Sequence, residues 1–201
     1  GPVILLNDIA YIDFAYRGEA ARDYIRNFDR ISENVFVIIA FSISKSMTAY
    51  GMRCGAAILM AQKQESVREV EIVFEKAARA IWSNVNNAAM ETFVSVITDE
   101  RSSYEAEKDS YVQLLRERSS IFTKEADACQ LAYYPYKEGF FVTLQMEDNA
   151  QRDAFHEALM KEHIYTVKVN KGIRVAVCSL PVEKCYGLAK RMKDILDTLT
   201  K

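Results

Sequence analysis

The stretch FSISKSMTAYGMRCG, residues 41–55, follows the apolar run VFVIIA and carries a lysine flanked by serines, with an arginine eight residues on. A lysine placed at the mouth of a core strand loses hydration. That disfavours its ammonium form and frees the amine to attack an aldehyde as a Schiff-base nucleophile. Read alone, Lys45 is better described as a side chain whose stem packs while its head reaches water. Asp8 alters that balance, because it ends the candidate strand VILLND and should emerge at the same sheet edge, where α/β proteins bind ligands. On its own Asp8 reads equally as a helix cap or turn residue. A carboxylate beside such a lysine suits pyridoxal phosphate, whose ring nitrogen must stay protonated for the ring to act as an electron sink. Arg53 offers a planar fork of donors for a phosphate dianion, with a surface ion pair as its plain alternative.

The elements that must position these groups alternate. Strands are expected over 3–8, 35–42 and 55–61, the second without alternation, as in a parallel sheet covered on both faces. Helices are expected over 17–32, 66–83 and about 87–98, with Val67, Val70, Phe74, Ala77 and Ile81 sharing one face of the second. The charged stretch 99–127 reads as a long connector helix with a solvated face. Beyond it come a strand (139–146), a helix (149–164), a short extended segment (166–169), a strand (172–180) and an amphipathic helix (182–199) with Pro181 near its first turn. The class is α/β. A boundary near 100–125 separates two parts, taken as 1–104 and 105–201.

Composition narrows the function classes. The chain has 201 residues, half of them hydrophobic, and 26 Lys and Arg against 28 Asp and Glu, a formal net charge of −2. That balance argues against a nucleic-acid surface. No apolar run is long enough to cross a bilayer, so the reading is soluble, intracellular and cytoplasmic, with no membrane partner. Cys54, Cys129, Cys178 and Cys185 form no C-x-x-C pair and read as reduced thiols; His156 and His163 lack a third ligand, so no metal is expected. Gly1-Pro2 running straight into a strand suggests a fragment.

Three motifs in order carry a family resemblance. NDIAY (7–11) resembles the Asp-x-Ala-Tyr motif of class I, fold-type I aminotransferases. SISKSMTAYGMRCG (42–55) resembles their Ser-x-Ser-Lys…Arg-x-Gly motif, and GIRVAV (172–177) their small-domain segment. The resemblance covers essentially the whole chain, but only the C-terminal portion of such an enzyme: part of the large cofactor domain, then the small domain. It implies pyridoxal 5′-phosphate as cofactor, with Lys45 bonded to its aldehyde and shuttling the substrate proton. Asp8 would pair with the ring nitrogen, Tyr11 with the phenolic oxygen, and Ser42, Arg53 and less certainly Ser44 with the phosphate. A core tyrosine is the competing reading of Tyr11. Arg174 would grip the α-carboxylate of an amino acid.

Arg79, in RAIWSN, falls where aspartate-preferring members place an arginine that crosses the dimer interface to the distal carboxylate. A cation near a helix C-terminus, favoured by the helix dipole, explains it as well. The implied reaction moves an amino group from an amino acid, aspartate first, to a 2-oxo acid such as 2-oxoglutarate, in a homodimer. Aromatic substrates, a lyase or decarboxylase on the same scaffold, and a non-catalytic PLP-sensing module are the alternatives. The resemblance places the glycine- and serine-rich phosphate turn, the ring-stacking aromatic, the asparagine near the phenolic oxygen and the tyrosine lent to the neighbour upstream of residue 1. The chain alone is therefore expected to be inactive, and to self-associate through an uncovered apolar edge.

Overall fold

The computed structural model describes residues 1–199. The chain divides into two compact units, Gly1–Lys108 and Asp109–Lys201.

The first unit is built on a three-stranded sheet of order β1-β2-β3, with β1 Val3–Asp8, β2 Val35–Ser42 and β3 Gly55–Met60. β1 runs parallel to β2, in a register that sets Asp8 opposite Ala40. β3 departs from the parallel pattern expected of these strands: it runs antiparallel to β2, with Ser42 opposite Gly55. The reason is the connection, which holds only one helical turn (α1, Ile43–Ser46) and a short 3-10 turn. A parallel return needs a crossover, usually a full helix. Gly55 is required where it stands, because a Cβ there would lie 2.4 Å from the Phe41 carbonyl oxygen. The connection between β1 and β2 includes Gly18–Arg30, which winds as a 3-10 helix where helical spacing alone was visible.

α2 (Gln64–Ile81) and α3 (Asn87–Thr98) follow. The apolar face expected of α2 exists, yet none of its residues is buried. Val3, Ile4, Leu5 and Leu6 of β1 are likewise exposed, Ile4 to 70%. The apolar sheet surface of this unit is thus uncovered, as the sequence led one to expect. Its own core centres on Val37, Ile39, Ile43 and Ala89. β2 buries only alternate residues, so it is not the doubly covered strand that its composition suggested.

α4 (Arg101–Ala128) is a single helix that begins in the first unit and ends in the second. The second unit has an antiparallel sheet of order β4-β6-β5: β4 Phe141–Gln145, β5 Val167–Val169 and β6 Gly172–Ala176. With α5 (Asn149–Lys161), α6 (Val182–Cys185) and α7 (Leu188–Leu199) it closes a dense core. Phe122, Leu131, Val142, Leu144, Phe155, Leu159, Ile173 and Met192 are all fully buried. The expected final helix over 182–199 is two helices. Gly187, at φ 76°, breaks it in the left-handed region, and the Glu125 carboxylate accepts from Gly187 N–H and Ala189 N–H at 2.9 Å each. A carboxylate on the first free amides of α7 satisfies donors that have no partner within the helix. The expected strand 172–180 similarly ends at Ala176 and finishes as a 3-10 turn.

Candidate active site

Parallel pairing of β1 and β2 brings their carboxyl ends to one sheet edge, Asp8 on the first and Ser42 on the second. Directly after β2 the chain turns into α1. The Ser42 hydroxyl caps it, accepting from Ser44 N–H at 3.2 Å. Lys45 is the third residue of this short helix, half-buried, rather than a strand residue. Half-burial of this kind is what a lysine shows when its stem packs and its head reaches out, the plain reading of the residue.

The environment of the Lys45 amine is aromatic. Nζ lies 4.2 Å from the Tyr50 ring centroid and 5.6 Å from that of Tyr11. Ring faces attract a cation placed over them. No carboxylate pairs with Lys45 among the described residues.

Arg53 stands at φ 53°, ψ 50°, in the left-handed region, which turns its side chain back along the loop. One guanidinium nitrogen donates to the Ser44 hydroxyl at 3.3 Å and to the Tyr50 carbonyl at 2.8 Å. Its Cζ lies 5.5 Å from the Tyr50 ring. A guanidinium, two serine hydroxyls and the cap of a one-turn helix thus sit together, a donor set suited to a phosphate dianion. Asp8 is exposed, and its carboxylate accepts from Ala10 N–H at 3.0 Å, an Asx-type turn that opens the NDIAY segment. Tyr11 is about as exposed as Tyr24, and its ring faces Lys45.

The other two candidate residues lie apart from this cluster in the chain. Arg79 is exposed in the last turn of α2, where it donates to the Ser83 hydroxyl; that fits the dipole explanation directly. Arg174 belongs to the second unit. It sits in β6 opposite Thr143, with its Cζ 4.4 Å from the Phe141 ring centroid. Its Nε is buried and has no hydrogen-bond partner. A buried donor left unpaired is costly, and an incoming acceptor would relieve it.

Sequence reasoning missed Tyr50 and Phe141, two of the rings that face cations here. The signal was present: Tyr50 stands between Lys45 and Arg53 in the motif, and Phe141 faces the strand that carries Arg174.

The model of the family described as aminotransferase class I and II matches residues 2–192. The chain belongs to this family. A crystal structure of an aminotransferase from Anaerococcus prevotii is 34% identical, with a TM-score of 0.91, over 98% of this chain and 47% of that one. An aromatic-amino-acid aminotransferase from Burkholderia pseudomallei, covalently bound to pyridoxal phosphate in its crystal, shares the fold at a TM-score of 0.70 and 22% identity; the match spans 96% of this chain and 48% of that one. Among curated proteins, the mitochondrial aspartate aminotransferase of Gallus gallus is 32% identical over 84 residues, 39% of this chain and 19% of the relative. The corresponding enzyme of Schizosaccharomyces pombe is 34% identical over 88 residues, 41% of this chain and 20% of the relative. The chain therefore spans about half the length of the solved family structures it matches. No helix among the described residues is long and apolar enough to cross a membrane.

Proposed function

We propose that this chain carries the catalytic lysine and the phosphate-binding arginine of a pyridoxal-phosphate-dependent aminotransferase. One observation carries the reading: an ammonium without a carboxylate partner, Lys45, shares the Tyr50 ring with a guanidinium bound to Ser44. The residues fit the cofactor by their chemistry. Lys45 offers an amine for its aldehyde, and Arg53, Ser42 and Ser44 offer donors for its phosphate. Asp8, at the same sheet edge and engaged only by a backbone amide, offers a carboxylate for its ring nitrogen. Tyr11 offers a hydroxyl for its phenolic oxygen. When bound, the cofactor supplies an electron sink for the charge left at the substrate's α-carbon.

The protein's own part is then positioning and proton transfer. With the cofactor bound, the Lys45 amine would take the proton from the substrate's α-carbon and return it as a general acid. The Tyr11 and Tyr50 rings hold the ammonium between those steps. Arg174, already stacked on Phe141 with an unpaired Nε, binds the α-carboxylate of the amino acid with two donors. Arg79 confers preference for a second carboxylate, so that aspartate donates and a 2-oxo acid such as 2-oxoglutarate accepts. Weak aspartate aminotransferase similarity supports that preference. Residues 1–104 serve as the end of the large cofactor domain and 105–201 as the small domain.

The intact enzyme acts as a homodimer, and the 201-residue chain alone self-associates and does not turn over. The exposed apolar residues of β1 support the association. Four free cysteines suit a reducing, cytoplasmic compartment.

Borohydride trapping with pyridoxal phosphate, followed by peptide mapping, tests this. Selective labelling of Lys45, lost in Asp8→Ala and Arg53→Ala, is expected. Labelling spread over the lysines in the chain restored to full family length would overturn it. In that restored enzyme, Arg79→Ala should lower selectivity for aspartate over tyrosine; unchanged selectivity would remove the dicarboxylate assignment.

A further inference from the structure

The turn that carries Lys45 is fastened from a distant point in the sequence. The Tyr104 hydroxyl donates to the Ser46 carbonyl oxygen at 2.8 Å, across 58 residues. Ser46 closes α1, and the last carbonyls of any helix lack partners inside it. Met47 N–H serves the carbonyls of Ile43 and Lys45, and Thr48 N–H that of Lys45, while the Ser46 carbonyl receives Tyr104. The Ser46 hydroxyl is itself buried without a hydrogen-bond partner, so it does not anchor the turn.

Tyr104 approaches through a cavity of about 280 Å³, lined from the α1 side by Ile43 and Met47 and from α3 by Phe93 and Val96. Ile43, Ser44 and Ser46 of α1 are buried, so packing holds the turn in place, and the phenol bond adds a directional tie at the Ser46 carbonyl on the flank that faces the cavity.

We propose that Tyr104 is a positioning residue for Lys45: it fixes the backbone of α1 so that the amine stays aimed at its reaction partner. The proposal rests on Lys45 being the reactive lysine, as argued above. No chemistry is assigned to the Tyr104 phenol, which remains a protonated donor throughout.

The test uses the 201-residue chain and Tyr104→Phe, which keeps the ring and removes only the donor. Competitive acetylation across a pH series reads the reactivity of each lysine, with exposed Lys76 as an internal reference, and pyridoxal phosphate trapping runs in parallel. Loss of one ordinary hydrogen bond predicts Lys45 labelling slowed about fivefold and faster hydrogen exchange at Met47 and Thr48. The pH profile of Lys45 acetylation should be displaced while that of Lys76 stays put, which general loosening of the fold would not produce. A folded variant with an unchanged Lys45 profile overturns the proposal.

If the variant does not fold, hydrogen exchange on the wild-type chain decides. Met47 and Thr48 amides better protected than Met52, in the neighbouring turn whose Met52 carbonyl receives a longer bond from Asn86 at 3.4 Å, support the proposal; equal protection overturns it. Should pyridoxal phosphate fail to select Lys45 in the wild type, the aminotransferase reading suffers. The acetylation profile then still judges Tyr104 by itself: displaced in its favour, unchanged against it.

Discussion

The Arg174 guanidinium sits over the Phe141 ring, 4.4 Å from Cζ to ring centroid, and its Nε is buried without a hydrogen-bond partner. If Arg174 binds the α-carboxylate as proposed, its planar fork can offer two donors at once. Lysine at this position would offer a point charge without that geometry. In the enzyme restored to full family length, Arg174→Lys should raise KM for the amino donor by roughly 10–100-fold, the range for losing one charge-assisted hydrogen bond. Steady-state kinetics check this, and the reactivity of Lys45 toward pyridoxal phosphate should be unaffected.

The cap on α1 is the next point of leverage. Ser42→Ala removes the hydroxyl that accepts from Ser44 N–H. The expected cost is about 1 kcal/mol of stability in urea denaturation, typical of an N-cap loss. Trapping of Lys45 should fall with it if the same hydroxyl also serves the cofactor phosphate, as proposed.

Gly55→Ala should be worse than its small volume suggests. The new methyl would meet the Phe41 carbonyl oxygen at 2.4 Å, a backbone atom that cannot swing away. Shifting the β2–β3 ladder should cost about 1–3 kcal/mol, visible as an earlier denaturation midpoint.

Tyr104 predicts a pH dependence. Burial first, then the Asp13 carboxylate, push its phenol from 10.0 up to about 12. In the unfolded chain the group ionises near 10, so the stability tied to its protonated form is intact below that pH. It drains away as pH rises from about 10 towards 12. Thermal unfolding scans over that window should show a fall that is shallower in Tyr104→Phe.

Cys185 is fully buried, and burial pushes its thiol up from its ordinary value; Cys54, Cys129 and Cys178 are half-buried. Iodoacetamide under native conditions should therefore alkylate those three before Cys185, as peptide mass mapping would read directly.

Much of this was legible in the sequence because it depends on local spacing. The ends of β1 and β2 and the long α4 follow from periodicity and composition. The antiparallel β3 was missed although the information was there: twelve residues from Ser42 to Gly55 hold no crossover helix. The 3-10 winding of 18–30 could not be told from apolar spacing, since the two helix types differ by only a fraction of a residue per turn. The break at Gly187 was legible in principle, but its capping partner, Glu125, lies 62 residues away. The stacking of Arg174 on Phe141 and the bond from Tyr104 to Ser46 join residues distant in sequence, and no local pattern encodes them. The exposed apolar face of α2 shows the converse: an amphipathic pattern reports that a surface expects cover, not what covers it.

Arg53 occupies backbone angles that suit glycine far better than any residue with a Cβ, at about 1–2 kcal/mol for an L-residue. The conformation is also what returns its guanidinium to Ser44 and Tyr50. Relief of that backbone strain alone would therefore favour Arg53→Gly, and in the same stroke erase the charge proposed here to hold a phosphate. A chain selected for stability alone, with no demand for a cation at this position, would be expected to lose it early.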